Sequence, residues 1–472
     1  MYEAMKRFFA CFLFTIMVFT SGAQSIHSKL AKAYAVFASD PQLKNAMASL
    51  YVVDAATGQP VFDKNAQIGL APASTQKIIT AATAYELLGK DFRYQTKFGY
   101  YEYLNDHQSN NGIYIRGSGD PTLGSWRWPN TTESSVMNRL LSALREKNIL
   151  NVTSFILDNN NWEAETIPGG WVWGDIGNYY GAGAGIINWR ENQYDLVLRS
   201  GEEKGAEVKV VKTVPYLYHY EIRSMATAAA KGTGDNAYIY FPVGSSHAVV
   251  RGTIPAGEKS FTISGAMPSG SRQFVETISD SLIKNGIQNK NRGVADLNTQ
   301  FSKQVEIKYF HTETSPPLDS ISYWFLRRSI NLYGEALVKT MAAQDSKTAS
   351  TENGADLVRD FWSKKNMGIS KTELNLHDGS GLSPLNRTTT HAQVAILQYA
   401  AKQPWFNSYY HGFPEFNNMK MKSGTISGVK GFCGYHTSAS GKEYIFSFLV
   451  NNYNGSSSSL VKKMYLVLDQ LK

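Results

Sequence analysis

The two ends of this chain read as parts of one sheet. From Ala46 to Asp63 the sequence runs "AMASLYVVDAATGQPVFD", two apolar-alternating runs around "AATGQ", which is the pattern of a β-hairpin. At the far end, "KGFCGYHTSAS", "EYIFSFLVNNY" and "LVKKMYLVLDQL" read as strand, strand and helix. A hairpin followed by a helix at one end, and strands followed by a helix at the other, predict a single α/β (α+β) domain. That domain is complete only when the C-terminus returns to the N-terminus.

What lies between has a different texture. Residues 96–270 are rich in Tyr, Trp, Gly and Asn, with β-type runs such as "NGIYIRG", "YDLVLRS" and "NAYIYFPV". They predict a β-rich insertion without repeats or low-complexity tracts. Its "GSGDPTL" lacks both glycine-rich phosphate-loop patterns and reads as a turn. Helical periodicity returns at "RQFVETISDSLIKNGI" and again in "LDSISYWFLRRSINLYGEALVKTMA", two helices with a joint around Arg328 to Asn331. The chain is therefore divided into 1–23, a domain in two pieces (24–95 and 271–472), and the inserted 96–270.

Residues 1–23 read as a secretory signal. Lys6 and Arg7 precede the apolar "FFACFLFTIMVF", and "SGA" places small residues before a cleavage point after Ala23. The apolar run is shorter than the roughly 20 residues of a spanning helix. An exported mature chain with no integral membrane segment is expected, located in the periplasm once the resemblance below is taken into account. Of the two cysteines, Cys11 lies in the signal and Cys433 stands alone, which excludes an intramolecular disulfide and a cysteine zinc cluster. Cys433, inside a strand, reads as a small buried residue. No histidine pair shows the H-E-x-x-H spacing, so neither a metal nor another cofactor is expected. The formal charge is +8, about +7 without the signal. With no Lys/Arg block and no nucleic-acid motif, nucleic acid is not an expected partner.

The chemistry is carried by three short motifs. "STQK" puts Ser74 and Lys77 one turn apart at the start of the predicted helix "STQKIITAATAYELLG", whose stripe is Ile78, Ile79, Ala82, Tyr85 and Leu88, with Gly89 as its C′ residue. A serine hydroxyl needs a base to take its proton, and a lysine held neutral can serve. Alone, S-x-x-K occurs by chance in most long chains, where it is a helix cap and a solvated lysine. "SIN", Ser329 to Asn331, falls on the helix joint, and "KSGT", Lys422 to Thr425, opens the terminal strands. Together, and in this order, S-x-x-K, S-x-N and K-[ST]-G are the set of β-lactamases and penicillin-binding proteins.

With "SPPLDSI", "RRSINLYGEALVKT", "HDGSGLSPLNRTT" and "KSGTISGVKGFCGY", the mature chain resembles serine D-alanyl-D-alanine carboxypeptidases/endopeptidases of the penicillin-binding protein 4 type, low-molecular-mass class C. The long insertion between the first two motifs fits that type; KSGT in place of the commoner KTG keeps the hydroxyl. The resemblance implies a transpeptidase-like antiparallel sheet with helices on both faces. It implies peptidoglycan stem peptides and β-lactam antibiotics as partners, with a homodimer as an option. Ser74 would be the nucleophile, Lys77 its base, Ser329 the proton relay, Asn331 a positioning group and Lys422 the cation that keeps the field positive. Ser423, Gly424 and Thr425 would meet the substrate, the hydroxyls of Ser423 and Thr425 facing its carboxylate. By strand alternation those two share a face, and Lys422 projects from the other, reaching the cleft from its edge. Asp175, in "GGWVWGDIGNYYGAGAG", reads equally as a turn residue and as the group that meets a side-chain amine of the stem peptide. His377 and Asp378 form a weaker triad reading, lacking a G-x-S-x-G elbow. Two rival functions stay open: a β-lactamase, which would shed a penicillin adduct rapidly, and a non-catalytic wall-binding protein, which would take up none.

Overall fold

The hairpin and the terminal strands do meet. In a computed structural model describing residues 25–105, 108–159, 161–289, 294–296 and 306–472, they form one six-stranded sheet. The signal segment and Cys11 lie outside the described residues. The strand order is Glu415–Phe416, Met419–Ile426, Val429–Thr437, Glu443–Asn451, Met47–Asp54 and Pro60–Lys64, with every neighbouring pair antiparallel. Strand Glu443–Asn451 is buried along nearly its whole length, which requires cover on both faces.

The pleat shows what covers each face. Phe446, Phe448 and Val450 pack with Leu30, Tyr34 and Phe37 of helix Ile26–Ala38 and with Leu460 and Met464 of helix Ser457–Leu468. Each such buried aromatic or aliphatic side chain contributes about 1.5–3 kcal/mol. On the opposite face, Ile445 joins the larger helical core, and Ser447 Oγ donates to Gln393 Oε1 of helix Thr390–Ala400 at 2.7 Å. The expected transpeptidase-like architecture, a sheet clad by helices on both sides, is present.

The helix after Ser74 was expected to bury one stripe. It spans Lys77–Leu87 and is buried all round from Lys77 to Tyr85. The difference has a plain cause: helices Leu318–Arg328, Asn331–Gln344, Thr351–Ser363 and Thr390–Ala400 surround it. Its polar groups are met inside that bundle, Thr83 Oγ1 by Trp362 Nε1 at 2.8 Å and the Ile78 carbonyl by the Tyr409 hydroxyl at 3.0 Å. It stops where predicted, with Gly89 following the cap at φ +80°.

The insertion carries a five-stranded sheet in the order Val294–Asp296, Ser154–Asp158, Gln108–Arg116, Gln95–Asn105 and Lys308–Thr314. Two smaller sheets between Gln193 and Ala266 share a separate core around Leu196, Ile239 and Val250. The packing does not change at the boundary expected between 270 and 271. Helix Gly270–Lys284 lays Phe274, Val275, Ile278 and Leu282 against Phe98, Ile113 and Phe155 of the inserted sheet. Strand Lys308–Thr314 pairs with Gln95–Asn105 of the same sheet. An amphipathic helix shows in sequence that it will pack, but not on which sheet.

Candidate active site

Ser74 lies in a tight 3-10 turn, Ala73–Gln76, that runs straight into the helix Lys77–Leu87. Lys77 therefore opens the α-helix, one turn behind the hydroxyl, with its Nζ 3.0 Å from Ser74 Oγ. The amine is wholly buried and has two further partners, Asn331 Oδ1 at 2.7 Å and the Ser380 carbonyl at 2.6 Å. The amide of Asn331 has a fixed orientation, because its Nδ2 donates to the Tyr180 carbonyl at 2.7 Å. Both partners are acceptors only, so a Lys77 amine in its neutral form would give its two hydrogens to them. Its lone pair is left for the Ser74 hydroxyl.

Burial is the largest cause pushing the Lys77 pKa well below its ordinary value, and the Lys422 ammonium adds to it. The carboxylates of Asp378 and Glu335 act in the other direction. Glu335, four residues beyond Asn331 on the same helix face, is itself fully buried, and burial followed by the nearby Asp378 pushes its pKa up to about 8. A carboxyl that is mostly protonated at neutral pH opposes the neutral lysine only weakly.

Ser329 caps helix Leu318–Arg328 in the left-handed region, φ +58°, and Asn331 starts the next helix. Its Oγ accepts from Lys422 Nζ at 2.9 Å, which also donates to the Ser423 carbonyl at 2.9 Å. Ala73, just before Ser74, has φ +46°. Two non-glycine residues in this region, each at or beside a reactive hydroxyl, mark backbone strain held by surrounding packing.

The strand Met419–Ile426 forms the other wall. Met421 joins the terminal-helix core, whereas Lys422 and Gly424 point to the nucleophile side. This corrects the expected facing, in which Lys422 projected away from the cleft. The pleat still alternates with a period of two, but the nucleophile turn sits on the face of Lys422 and not on that of Ser423. Gly424 is required there: a Cβ would stand 2.6 Å from the Pro72 carbonyl and 3.0 Å from Ser74 N. Met421 N–H donates outward to the Pro414 carbonyl at 3.1 Å, so by alternation Thr425 N–H points out of the same strand edge. Thr425 lines a cleft of about 690 Å³ together with Ser74, Ser329, Asn331, Tyr180 and Asp175. Ser423 does not line it.

Asp175 is half-buried in the short helical turn Trp173–Ile176; burial raises its pKa, and a hydrogen bond from Tyr180 counters the rise. The weaker triad reading of His377 and Asp378 is not met, and the loop is structural. His377 is exposed, and the Asp378 carboxylate is buried among donors: Gly381 N, Ser383 N, Asn386 Nδ2, Gln76 Nε2 and Trp171 Nε1. It shapes the loop whose Ser380 carbonyl holds Lys77. Gly381 (φ +83°) makes the fit possible, since a Cβ there would stand 2.0 Å from the Ala73 carbonyl. Cys433 is buried, as expected, and its thiol lies 3.9 Å from the Thr75 carbonyl. Among the described residues no group of three His, Cys, Asp or Glu side chains is placed to hold a metal.

Sequence reading missed Glu335, the Ser380 and Tyr180 carbonyls and Trp171. Only Glu335 had a legible signal, the i+4 spacing from Asn331 on one helix. Backbone carbonyls carry no residue signature.

A serine hydroxyl, a buried lysine as its partner and a second lysine on a strand edge define an active-site-serine hydrolase that works without histidine. Within that class the chain belongs to the D-Ala-D-Ala carboxypeptidase 3 (S13) family, whose model matches residues 30–415 and 414–471. It is 25% identical over 452 residues to a D-alanyl-D-alanine carboxypeptidase of Actinomadura sp. (strain R39), covering 90% of this chain and 81% of that protein. It is 23% identical over 431 residues to the D-alanyl-D-alanine carboxypeptidase DacB of Haemophilus influenzae, covering 87% and 86%. The crystal structure of penicillin binding protein 4 from Haemophilus influenzae shares the fold, with a TM-score of 0.76 at 20% identity over 94% of this chain and 98% of that one. The resemblance to the penicillin-binding protein 4 type is borne out.

Proposed function

We propose that this chain hydrolyses the D-Ala-D-Ala end, or the corresponding cross-link, of peptidoglycan stem peptides through an acyl-enzyme at Ser74. The observation that carries the reading is the Lys77 amine: buried, 3.0 Å from Ser74 Oγ, and bonded also to Asn331 Oδ1 and the Ser380 carbonyl. Ser74 Oγ attacks the penultimate D-Ala carbonyl while Lys77 Nζ takes its proton. The oxyanion is met by the N–H groups of Ser74 and Thr425, each such donor worth roughly 3–4 kcal/mol in other enzymes. Ser329, bonded to Lys422, gives its hydroxyl proton to the departing D-Ala amine as the C–N bond breaks and takes up in its place the proton that Lys77 removed from Ser74, which leaves Lys77 neutral to act as base for the incoming water. Water then cleaves the ester and regenerates Ser74. Asn331 orients Lys77 and meets the substrate amide, Lys422 supplies positive field, Thr425 meets the carboxylate end where Gly424 lets the strand approach, and Asp175 meets a side-chain amine; the expected carboxylate contact of Ser423 is not part of the reading.

The Haemophilus influenzae protein has also been crystallised in complex with a β-lactam, which supports β-lactam binding in the cleft of this chain. Export to the periplasm belongs to the reading, since its substrate lies there. Among the described residues no helix is long and apolar enough to cross a membrane. The homodimer is carried as an expectation that light scattering of the mature chain decides.

The test is digestion of defined monomeric and cross-linked muropeptides, with mass spectrometry of the penicillin adduct. The wild type is expected to release D-Ala and to carry a slowly shed ester on Ser74. Lys77→Ala should cut acylation roughly 10²–10⁴-fold with the fold intact. An adduct persisting in Ser74→Ala would sink the assignment. Rapid shedding would indicate a β-lactamase, and no uptake a wall-binding protein.

A further inference from the structure

Lys430 belongs to none of the three motifs, yet it reaches the cleft through one of their residues. It lies opposite Thr425 in the ladder between strands Met419–Ile426 and Val429–Thr437. Its Nζ donates to Thr425 Oγ1 at 2.7 Å and sits 5.0 Å from the centre of the Phe432 ring, which steers its stem along the sheet. The side chain is half-buried, burial lowers its pKa, and no carboxylate among the described residues offsets that effect. A partly desolvated ammonium beside an open cleft, bonded only to a hydroxyl oxygen among the contacts described, can accommodate an anion.

The hydrogen-bond direction gives this cation a role. An ammonium only donates, so Thr425 Oγ1 is the acceptor and the hydroxyl hydrogen is free to point elsewhere. Thr425 lines the cleft with Ser74. In a D-Ala-D-Ala end the terminal carboxyl carbon is three bonds from the scissile carbonyl carbon, within about 4 Å. A carbonyl oxygen held at Thr425 N–H thus brings the carboxylate within reach of the same residue's hydroxyl.

We infer that Lys430 is a specificity-determining residue of this site: acting through Thr425 Oγ1, it turns that hydroxyl toward the substrate and adds a positive charge that selects ligands with a free terminal carboxylate. The inference rests on the acyl-enzyme reading above and goes beyond its three motifs.

The experiment measures acylation of the full mature chain by benzylpenicillin and by its methyl ester, which lacks the negative charge. Lys430→Met is expected to slow acylation by the acid about tenfold or more, while acylation by the ester changes less than about twofold. Lys430→Arg should restore most of the preference. Thr425→Val should lower the same ratio, and the double variant should lose less than the product of the two single losses, because part of the lysine's effect passes through the hydroxyl. Equal slowing of acid and ester in Lys430→Met, or an unchanged ratio, overturns the inference while the acyl-enzyme reading stands. A wild type acylated by neither compound overturns both.

Discussion

Lys422 is held where its charge is disfavoured. It is 2% exposed, and burial first, then the Lys430 cation, brings its pKa from 10.5 down to about 7. The folded protein therefore binds this proton less tightly than the unfolded chain does. The resulting cost is fully present below pH 7, where both states are protonated, and it disappears as pH rises from 7 to 10.5. Lys422→Met removes a cost on the order of a few kcal/mol. It should raise the denaturation midpoint at pH 6 more than at pH 9, while abolishing acylation. A stability difference that does not vary with pH would mean that Lys422 is not desolvated as described. At this scale the sequence was most legible. Ser74, Lys77, Ser329, Asn331 and Lys422 converge because the hydroxyls, the amide and the amines are themselves the chemistry. The groups that tune them, Glu335 and the Ser380 carbonyl, are set by how a loop and a helix pack, which no residue type announces.

Elements place those residues, and here periodicity was informative about type and poor on facing. The joint around Arg328 to Asn331 was legible as the break between two helical runs; the left-handed φ of Ser329 was not, since serine has no preference that predicts it. Strand Met419–Ile426 was recognised, but alternation alone fixes which residues share a face and not which face meets the nucleophile. Gly424 decides that point physically. The strand approaches the turn Ala73–Gln76 so closely that a single methyl group would collide with backbone at Pro72, Ser74 and Thr75. Backbone cannot move aside as a side chain can. Gly424→Ala is therefore expected to push the strand edge from the nucleophile and slow penicillin acylation about a hundredfold or more, by displacing the Thr425 N–H. Near-normal acylation with a normal melting temperature would show that the strand is free to shift.

Across the whole molecule, the inserted region is tied to the catalytic core at the cleft itself. Asn331 Nδ2 holds the Tyr180 carbonyl, Trp171 Nε1 reaches Asp378 at 2.9 Å, and the buried Lys339 donates to the Glu165 and Ala184 carbonyls at 2.7 and 3.0 Å. Asn331 and Lys339 are eight residues apart on one helix, so a single rigid element fixes both the Lys77 amine and the segment that carries Asp175. Composition alone indicated a β-rich insertion; that its loop would form a wall of the cleft depends on these long-range bonds, which have no local sequence signature. The arrangement separates two tasks. The polar network around Ser74 runs through Lys77 and Asn331, with Lys422 bonded to Ser329 beside it, while among the described contacts Asp175 meets it by way of Tyr180, whose carbonyl and not its side chain holds Asn331. Asp175→Ala should therefore weaken turnover of stem peptides bearing a free side-chain amine about tenfold, mainly through KM, as expected for loss of a charge-assisted contact. Penicillin has no such amine, and its acylation rate should stay within about twofold. The measurement is kcat and KM on amine-bearing and amine-acetylated peptides, beside the penicillin rate. Parallel losses on all three would mean that Asp175 holds the loop, and that the insertion supports the site without reading the substrate.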